Sequence, residues 1–191
     1  MTGVDISAEM LDIARNAAEA AKCDKDILWL CQDMREFELY GTVDLTVCCL
    51  DAINHLTRPA DVKSCFDLVH NYLIPDGLFI FDINGRRKFE QVYGSQVYVM
   101  EEEDSVCVWQ NQYDEGSRLC DFYITVFKER EDGAYERYDE IQTERMYTLR
   151  AIRKRLKESG FEFICAYSDF EMTPATDEDE RIYIVARCIK E

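Results

Sequence analysis

The fold is decided by the stretch Thr2-Gly3-Val4-Asp5-Ile6-Ser7-Ala8-Glu9-Met10-Leu11, which predicts a short strand running directly into a helix. The strand ends at Asp5, and Ser7 is suited to accept a backbone N–H as the N-cap of the helix. Glu9 lies in the first turn, where the helix dipole favours a negative charge. An apolar stripe at helical spacing then predicts the buried face, formed by Met10, Ile13, Ala14, Ala17, Ala18 and Ala21.

Strands and helices alternate along most of the chain. Apolar runs predict further buried strands at residues 27–31, 43–50, 78–83, 161–167 and 181–189. Helical patterns lie between them, at about 59–73 and from Thr148 to Gly160. This order predicts an α/β fold whose strands are mostly parallel and are joined by right-handed crossovers.

The hydrophobic period changes between Val97 and Tyr147, where side chains alternate as they do in strands. The turn signal Glu115-Gly116-Ser117 has hairpin spacing. We therefore predict a main domain formed by residues 1–92 and 148–191. An antiparallel β meander of three or four strands is inserted into it within residues 93–147.

Composition excludes several classes of partner. The formal net charge is −17, which argues against nucleic acid and against an anionic membrane, because both would be repelled. The nine cysteines include no Cys-x-x-Cys pair, so neither a zinc site nor a disulfide framework is indicated. Free thiols fit a reducing cytoplasm, and no apolar run has membrane-spanning length.

Asp5 has two interpretations at the end of its predicted strand. Its two carboxylate oxygens can each accept a hydrogen bond from one of the vicinal ribose hydroxyls of a nucleotide. Alternatively, Asp5 only forms the turn that follows the strand. This stretch by itself leaves both interpretations open.

Further motifs follow in a defined order. They are the pieces at residues 2–14, Gln32-Asp33-Met34, Val43-Asp44-Leu45, Leu50-Asp51-Ala52-Ile53-Asn54-His55, and residues 73–82. In this order and spacing the chain resembles class I S-adenosylmethionine-dependent methyltransferases over nearly its whole length. The inserted meander resembles that of a group of bacterial small-molecule methyltransferases. The resemblance implies a Rossmann-like methyltransferase sheet with an antiparallel last strand.

The resemblance also implies which residues bind the nucleoside part of the cofactor S-adenosylmethionine. Asp5 would bind the ribose hydroxyls, and Ile6 would pack on the adenine. Asp33 would accept from the adenine amino group, while the backbone N–H of Met34 would meet a ring nitrogen. All four residues follow carboxyl ends of predicted parallel strands, where open α/β sheets bind ligands.

The next strand end is implied to serve the reacting part of the cofactor. The segment Cys49-Leu50-Asp51 would pass under the methionine portion. Asn54 and His55 would face the methyl group or the substrate, and His55 is the candidate if a general base is needed. No metal ligand is implied.

These residues also have structural interpretations that the sequence leaves open. Asp33 can simply cap a turn, and Asp51 and Asn54 can satisfy loop backbone groups. His55 can be an ordinary loop histidine. For His70 we favour a helix-surface role.

The chain departs from the family pattern at its start. The family has a central strand, a Gly-x-Gly-x-Gly loop and a helix before the segment that corresponds to Thr2. Their absence predicts an N-terminally truncated sheet that lacks roughly 30 or more residues. The neighbouring strands would then show unpaired edges. The chain would be a fragment of a longer enzyme, would have the gap filled by a second chain or swapped segment, or would close its two half-sheets directly.

Two functions from different classes follow. The first is a methyltransferase that acts on an unidentified small molecule; this truncated form is either active or inactive, and its exposed sheet edges allow a homo-oligomer. The alternative is a non-catalytic methyltransferase-fold relic or partner subunit. A nicotinamide-dependent dehydrogenase fits less well, because the chain has no Gly-x-Gly-x-x-Gly motif.

Overall fold

The computed structural model describes residues 1–168 and 172–190. Its main strands are β1 (Thr2–Asp5), β2 (Leu28–Cys31), β3 (Val43–Cys48), β4 (Leu73–Asn84), β5 (Val97–Glu101), β6 (Ser105–Asp114), β7 (Leu119–Glu129), β8 (Tyr135–Arg145), β9 (Phe161–Ser168), β10 (Thr173–Pro174) and β11 (Arg181–Cys188). Its α-helices are α1 (Ala8–Ala20), α2 (Pro59–Tyr72) and α3 (Leu149–Glu158). Within the described ranges, no helix is both long and apolar enough to cross a membrane.

The strands of the main domain form two separate sheets. β1 and β2 pair in parallel as a two-stranded sheet. The other sheet has the order β10-β9-β11-β4-β3, in which β3 and β4 are parallel. β11 runs antiparallel to both of its neighbours, and the short β10 runs antiparallel to β9. The expected Rossmann-like sheet is thus divided. In the described part of the chain, one edge of β1 and one edge of β3 have no strand beside them.

Helices α2 and α3 pack on one face of the five-stranded sheet. Alternate residues of β4 (Phe79, Phe81 and Ile83) point toward these helices and are fully buried. Phe66 of α2 lies against both phenylalanines, with ring centroids 5.5 Å and 5.3 Å away. The main hydrophobic core therefore lies between this face and the two helices.

Helix α1 differs from its predicted packing. Ser7 caps it as expected, because the Ser7 hydroxyl accepts a hydrogen bond from the backbone N–H of Met10 at 3.1 Å. However, Met10 and Ile13 are 54% and 61% exposed, and the buried residues are Leu11 and Ala18. The prediction that Met10 and Ile13 are buried is wrong. The stripe is apolar, but within the described residues no element covers its exposed positions Met10, Ile13, Ala17 and Ala21.

The inserted residues form a separate four-stranded antiparallel sheet in the order β5-β6-β7-β8. Its inner face covers a second, smaller core that includes Phe89, Tyr93, Phe122 and Met146. The carboxyl end of β8 returns to the main domain beside the short helical turn Ala52–His55. The insert is therefore joined to the main domain at the carboxyl ends of β3 and β4.

Candidate active site

The carboxyl ends of β1 and β2 place Asp5 and Asp33 at the same edge of their sheet. Asp5 pairs in register with Cys31, two residues before Asp33. One carboxylate oxygen of Asp5 accepts from the backbone N–H of Ser7 at 2.8 Å, and the side chain is exposed. Ile6, next to it, is 68% exposed. Asp5 therefore keeps acceptor capacity for a ligand hydroxyl, with an apolar side chain beside it.

Asp33 is held by Arg35. The Asp33 carboxylate accepts from the Arg35 backbone N–H at 2.8 Å and from its Nε at 2.9 Å. The Arg35 guanidinium, through this side-chain hydrogen bonding, lowers the pKa of Asp33, so this carboxyl is ionised at neutral pH. Arg35 also lies 3.6 Å from Asp61 of α2, and Met34 packs against the main core. The turn after β2 is thus fixed to α2 and to the main hydrophobic core. These contacts support the interpretation of Asp33 as a residue that caps the turn.

The loop after β3 has an unusual backbone. Leu50 and Asp51 adopt left-handed conformations, with φ of 61° and 52°. Non-glycine residues reach this region only at a cost, of order 1–3 kcal/mol each, and they concentrate at functional sites. Cys49 and Leu50 are exposed, whereas the backbone N–H of Asp51 donates to Asp82 Oδ2 at 3.0 Å. The predicted cofactor segment is therefore a strained loop anchored on β4.

Asn54 is fully buried and joins three parts of the chain. Its Nδ2 donates to the backbone carbonyl of Arg145 at 2.9 Å, and its Oδ1 accepts from the backbone N–H of Asn84 at 2.9 Å. Both ends of its amide are therefore used within the protein. This geometry favours a role in attaching the insert to β4. A direct contact of Asn54 with substrate stays a prediction.

Sequence reasoning missed a buried polar cluster that lies beside Asp51. Asn84 Nδ2 donates to Asp51, to the Tyr93 hydroxyl at 3.2 Å and to Glu144 Oε2 at 3.3 Å. Asn84 and Glu144 are 0% and 5% exposed. We call the set Asp51, Asn84, Tyr93 and Glu144 the strand-end cluster.

His55 lies on the solvent side of the strand-end cluster. Its Nε2 is 3.8 Å from Glu144 Oε1, and its side chain is 42% exposed. Burial, together with the nearby Asp51 carboxylate, raises the pKa of Glu144 to about 7, against the opposing effects of Asn84, Lys88 and Arg181. A carboxyl whose pKa lies near neutrality can both accept and release a proton.

Arg181 and Asp82 lie next to Asp51 of the strand-end cluster. Arg181 lies 3.2 Å from Asp82 and 3.7 Å from Asp51. Burial is the main cause that raises the pKa of Asp82, whose side chain is 1% exposed. Two polar residues at the end of the apolar run of β4, Asp82 and Asn84, were a usable signal. Glu144 had none, because its partner Asn84 is 60 residues away.

A surface depression lies elsewhere. It has a volume of about 540 Å³, is open to solvent, and is lined by residues of β6, β7 and β8 such as Gln110, Tyr123 and Arg137. None of its lining residues belongs to the strand-end cluster. It holds no set of groups suited to acid–base chemistry next to a strand end, so we place the candidate site at the cluster.

His70 lies far from this site, on α2. Its Nε2 is 3.0 Å from the backbone carbonyl oxygen of Ile189, and its ring meets Phe161 edge to face at 5.4 Å. The hydrogen bond and the ring contact give His70 a structural role.

Comparison with known proteins gives consistent results. Residues 1–77 match the family model described as a methyltransferase domain. The methyltransferase-family protein YqeM of Bacillus subtilis (strain 168) is 31% identical over 190 residues, which cover 98% of this chain and 74% of that protein. A solved S-adenosylmethionine-dependent methyltransferase from Clostridium acetobutylicum is 30% identical, with a TM-score of 0.89 over 99% of this chain and 75% of that one.

The CcbJ methyltransferase of Streptomyces caelestis has a TM-score of 0.83 over 99% of this chain and 74% of that chain, at 17% identity. At that identity the match supports the fold alone. Together, the comparisons show that this chain belongs to the class I S-adenosylmethionine-dependent methyltransferases, with a mixed α/β fold and S-adenosylmethionine as the cofactor. The family resemblance and the cofactor expected from the sequence are thereby confirmed.

Proposed function

We propose that this protein transfers the methyl group of S-adenosylmethionine to a small-molecule acceptor held at the strand-end cluster. The observation that carries the proposal is the strained loop at Leu50 and Asp51, which follows the carboxyl end of β3. Along the chain, this loop comes after Asp5, which can still accept a hydrogen bond, and before the buried carboxyl of Glu144. In open α/β sheets, ligands bind outside the carboxyl ends of the strands.

The described residues fit the nucleoside half of the cofactor. The free acceptor capacity of Asp5 suits the ribose hydroxyls, and the exposed Ile6 suits one face of the adenine ring. The Asp33 carboxylate, fixed by Arg35, would accept from the adenine amino group, and the backbone N–H of Met34 would donate to the ring. The loop at Cys49, Leu50 and Asp51 would lie under the methionine portion.

The cofactor supplies an electrophilic methyl group on a sulfonium. The protein needs to position the acceptor in line with that group and to keep water out, since methyl transfer depends largely on proximity and orientation. On this proposal the end of β8, which Asn54 attaches to the main domain, forms one wall of the acceptor site and excludes water from it. On this proposal residues 93–147 act as a subdomain that covers the acceptor.

The cofactor site is completed by a further parallel strand. The proposal is supported by the free edges of β1 and β3 and by the apolar side chains around them. Ile6, Met10, Leu45, Val47 and Leu50 are between 49% and 73% exposed. Burying such a side chain contributes about 1.5–3 kcal/mol, so a strand and helix placed there would be strongly favoured.

Titration calorimetry of this 191-residue chain with S-adenosylmethionine and S-adenosylhomocysteine tests the proposal. Micromolar binding, about −8 kcal/mol, is expected if the present strand ends form a usable site. Asp5→Asn should weaken that binding, and Asp12→Asn, an exposed carboxylate on α1, should not. Absence of binding by this chain contradicts the proposal.

A second candidate is a non-catalytic partner subunit, which the free strand edges favour. Exposed edges present unpaired N–H and C=O groups to other chains. A chain of this kind would associate without cofactor. Calorimetry with S-adenosylhomocysteine separates the two candidates, since only the methyltransferase function predicts binding of this ligand.

A further inference from the structure

We propose that Glu144 is the proton acceptor for an amine substrate, so that the acceptor enters the strand-end cluster as an ammonium ion. The inference rests on the proposed methyltransferase function and names the acceptor class for the same site. It follows from the charges of the cluster, from its hydrogen-bond donors and acceptors, and from the access that His55 provides.

The carboxylates in and beside the cluster outnumber the lysine and arginine side chains within 4 Å of them in the described ranges. Asp51 and Asp82 are both paired with Arg181, at 3.7 Å and 3.2 Å. Glu144 has no lysine or arginine within 4 Å in the described ranges, and the basic side chain at that distance is His55, at 3.8 Å. An ammonium group at Glu144 would supply a further positive charge, whereas a carboxylate substrate would be repelled.

The cluster also has more acceptors than donors. The Asn84 amide has two hydrogens, yet three acceptors surround its nitrogen: Asp51, Glu144 and the Tyr93 hydroxyl. Two further buried oxygens, Asp82 Oδ1 and Asn84 Oδ1, have no donor among residues 1–168 and 172–190. A buried acceptor without a donor is costly. An ammonium ion brings three donors and no acceptor, which is the complement of this cluster.

An alcohol acceptor fits less well. A hydroxyl brings one donor and two further acceptor lone pairs, and it adds no positive charge. It would leave the excess of carboxylates uncompensated. The electrostatics of the cluster therefore favour nitrogen over oxygen as the atom that is methylated.

The chemical step balances as follows. Glu144 takes one proton from R–NH₃⁺ and leaves a neutral amine with a free lone pair. That lone pair forms the new N–C bond to the methyl group, the C–S bond breaks, and its electron pair stays on sulfur. The product leaves as R–NH₂⁺–CH₃. Glu144 then passes its proton to solvent, with the partly exposed His55 imidazole as the adjacent carrier.

The surroundings of Glu144 are suited to this cycle. Burial and the negative charge of Asp51 raise the pKa of Glu144 to about 7. Opposing contributions come from Asn84 of β4, from Lys88 in the turn that follows, and from Arg181 of β11. The other titratable groups beside it are His55, Tyr93, and Cys120 of β7. A base of this strength at neutral pH can both take and release a proton.

The test follows the Glu144 carboxyl directly, by carbon NMR of the whole chain labelled at glutamate side-chain carboxyls. Glu144→Gln identifies its signal, because glutamine keeps an oxygen for Asn84, and Glu140→Gln, an exposed site on the same strand, should leave that signal in place. The pH titration is run with methylammonium chloride, with methanol, and with sodium chloride at equal ionic strength. Glu144→Asp removes the same labelled glutamate signal while keeping a carboxylate, so it identifies the signal if Glu144→Gln folds poorly.

We expect methylammonium to lower the titration midpoint of Glu144 by about one pH unit relative to sodium chloride, as a nearby opposite charge does. Methanol should leave the midpoint unchanged. If methylammonium acts no differently from sodium chloride, the inference is wrong.

Calorimetry distinguishes failure of the amine inference from failure of the proposed function. If S-adenosylhomocysteine binds but methylammonium leaves the midpoint unchanged, the amine inference fails and the proposed function stands. If methylammonium lowers the midpoint but this chain does not bind S-adenosylhomocysteine, the cation site stands and the proposed function fails.

Discussion

The β1–α1–β2 unit and the five-stranded sheet are built from similar sequence patterns, yet they differ sharply in burial. We call the first the open unit and the second, with α2 and α3, the closed sheet. Leu11 and Ala18 are the buried residues of α1, whereas α2 alone buries Val62, Cys65, Phe66 and Val69. Both helices carry apolar stripes. What separates them is the presence of a packed partner.

This difference divides the candidate site in the same way. The residues expected to hold the nucleoside lie on the open unit, where Asp5 and Ile6 are exposed. The residues proposed to meet the acceptor lie where the closed sheet meets the inserted sheet, with Asn84 buried at the end of β4 and Glu144 buried near the end of β8. The part of the candidate site that we propose for the acceptor is therefore buried in this chain, while the part that we propose for the cofactor is exposed on the open unit.

Removing the amide of Asn84 should have the largest effect on the closed sheet. Asn84→Leu leaves the Asp51 and Glu144 carboxylates without their shared donor, so the free energy of unfolding should fall by about 3–5 kcal/mol at neutral pH. Asn71→Leu, at an exposed position near the end of α2, should change it by less than about 0.5 kcal/mol. Urea unfolding measures both. Equal, small effects would show that the cluster does not stabilise the fold.

The second prediction concerns how the free energy of unfolding depends on pH through the buried Glu144 carboxyl. Burial raises the pKa of Glu144 from 4.5 to about 7, so the folded chain keeps a proton that the unfolded chain has already released. The stability linked to this proton is fully present below about pH 4.5 and is lost as the pH rises through about 7. Glu144→Gln should remove this loss, which amounts to about 3 kcal/mol.

Urea unfolding at a series of pH values tests this directly. Above pH 7, the Gln variant should be at least as stable as the wild type, and the advantage should disappear in acid. Glu140→Gln, on the exposed part of β8, should show no such crossover. A wild-type curve that lies parallel to that of Glu144→Gln would contradict the raised pKa.

The same substitution, glycine to alanine, can be made at one position in each region to compare how tightly the two regions are packed. A Cβ at Gly160 would lie 2.6 Å from His70 Nε2, and Gly160 has a φ of +82°. A Cβ at Gly3 would lie 2.6 Å from the Trp29 ring, in the open unit. Because His70 is held by Ile189 while Trp29 lies in the open unit, Gly160→Ala should cost about 1–3 kcal/mol and Gly3→Ala less than about 1 kcal/mol.

Thermal unfolding of both variants measures the contrast. Gly133→Ala serves as the control, because Gly133 has a φ of +78° but no atom near its would-be Cβ. It isolates the backbone strain from the steric overlap. A larger loss for Gly3→Ala than for Gly160→Ala would mean that the open unit is as tightly packed as the closed sheet.

Helix caps give the smallest expected effect. Ser7 and Thr148 cap α1 and α3 through hydrogen bonds of 3.1 Å and 3.2 Å to backbone N–H groups. Each change to alanine should cost about 1 kcal/mol. For Thr148→Ala we expect the loss in global stability. For Ser7→Ala we expect it as faster amide hydrogen exchange confined to α1, since the open unit can unfold locally. Global destabilisation by both would remove the distinction.

Local features of this fold were predictable and long-range ones were not. The caps at Ser7 and Thr148 depend on residues within three positions, and both were identified from sequence. The apolar stripe of α1 was also identified, but a stripe shows which face is apolar and not whether a partner covers it. That is why the predicted burial of Met10 and Ile13 is wrong.

The same reasoning applies to the candidate site. The strand ends at Asp5, Asp33 and Asp51 could be located because they follow apolar runs. Glu144 could not, because a charged residue on an alternating strand is usually solvated. Its burial results from a contact with Asn84 across 60 residues of sequence, which only the folded chain brings together.

Strand β8 has a gradient of burial that bears on how such enzymes diversify. Its first seven residues, from Tyr135 to Ile141, are exposed, and its end at Glu144 is buried. Mutations can accumulate on the outer part of the strand without disturbing the inner end. The outer part of β8 can therefore change its sequence among relatives while its inner end stays the same.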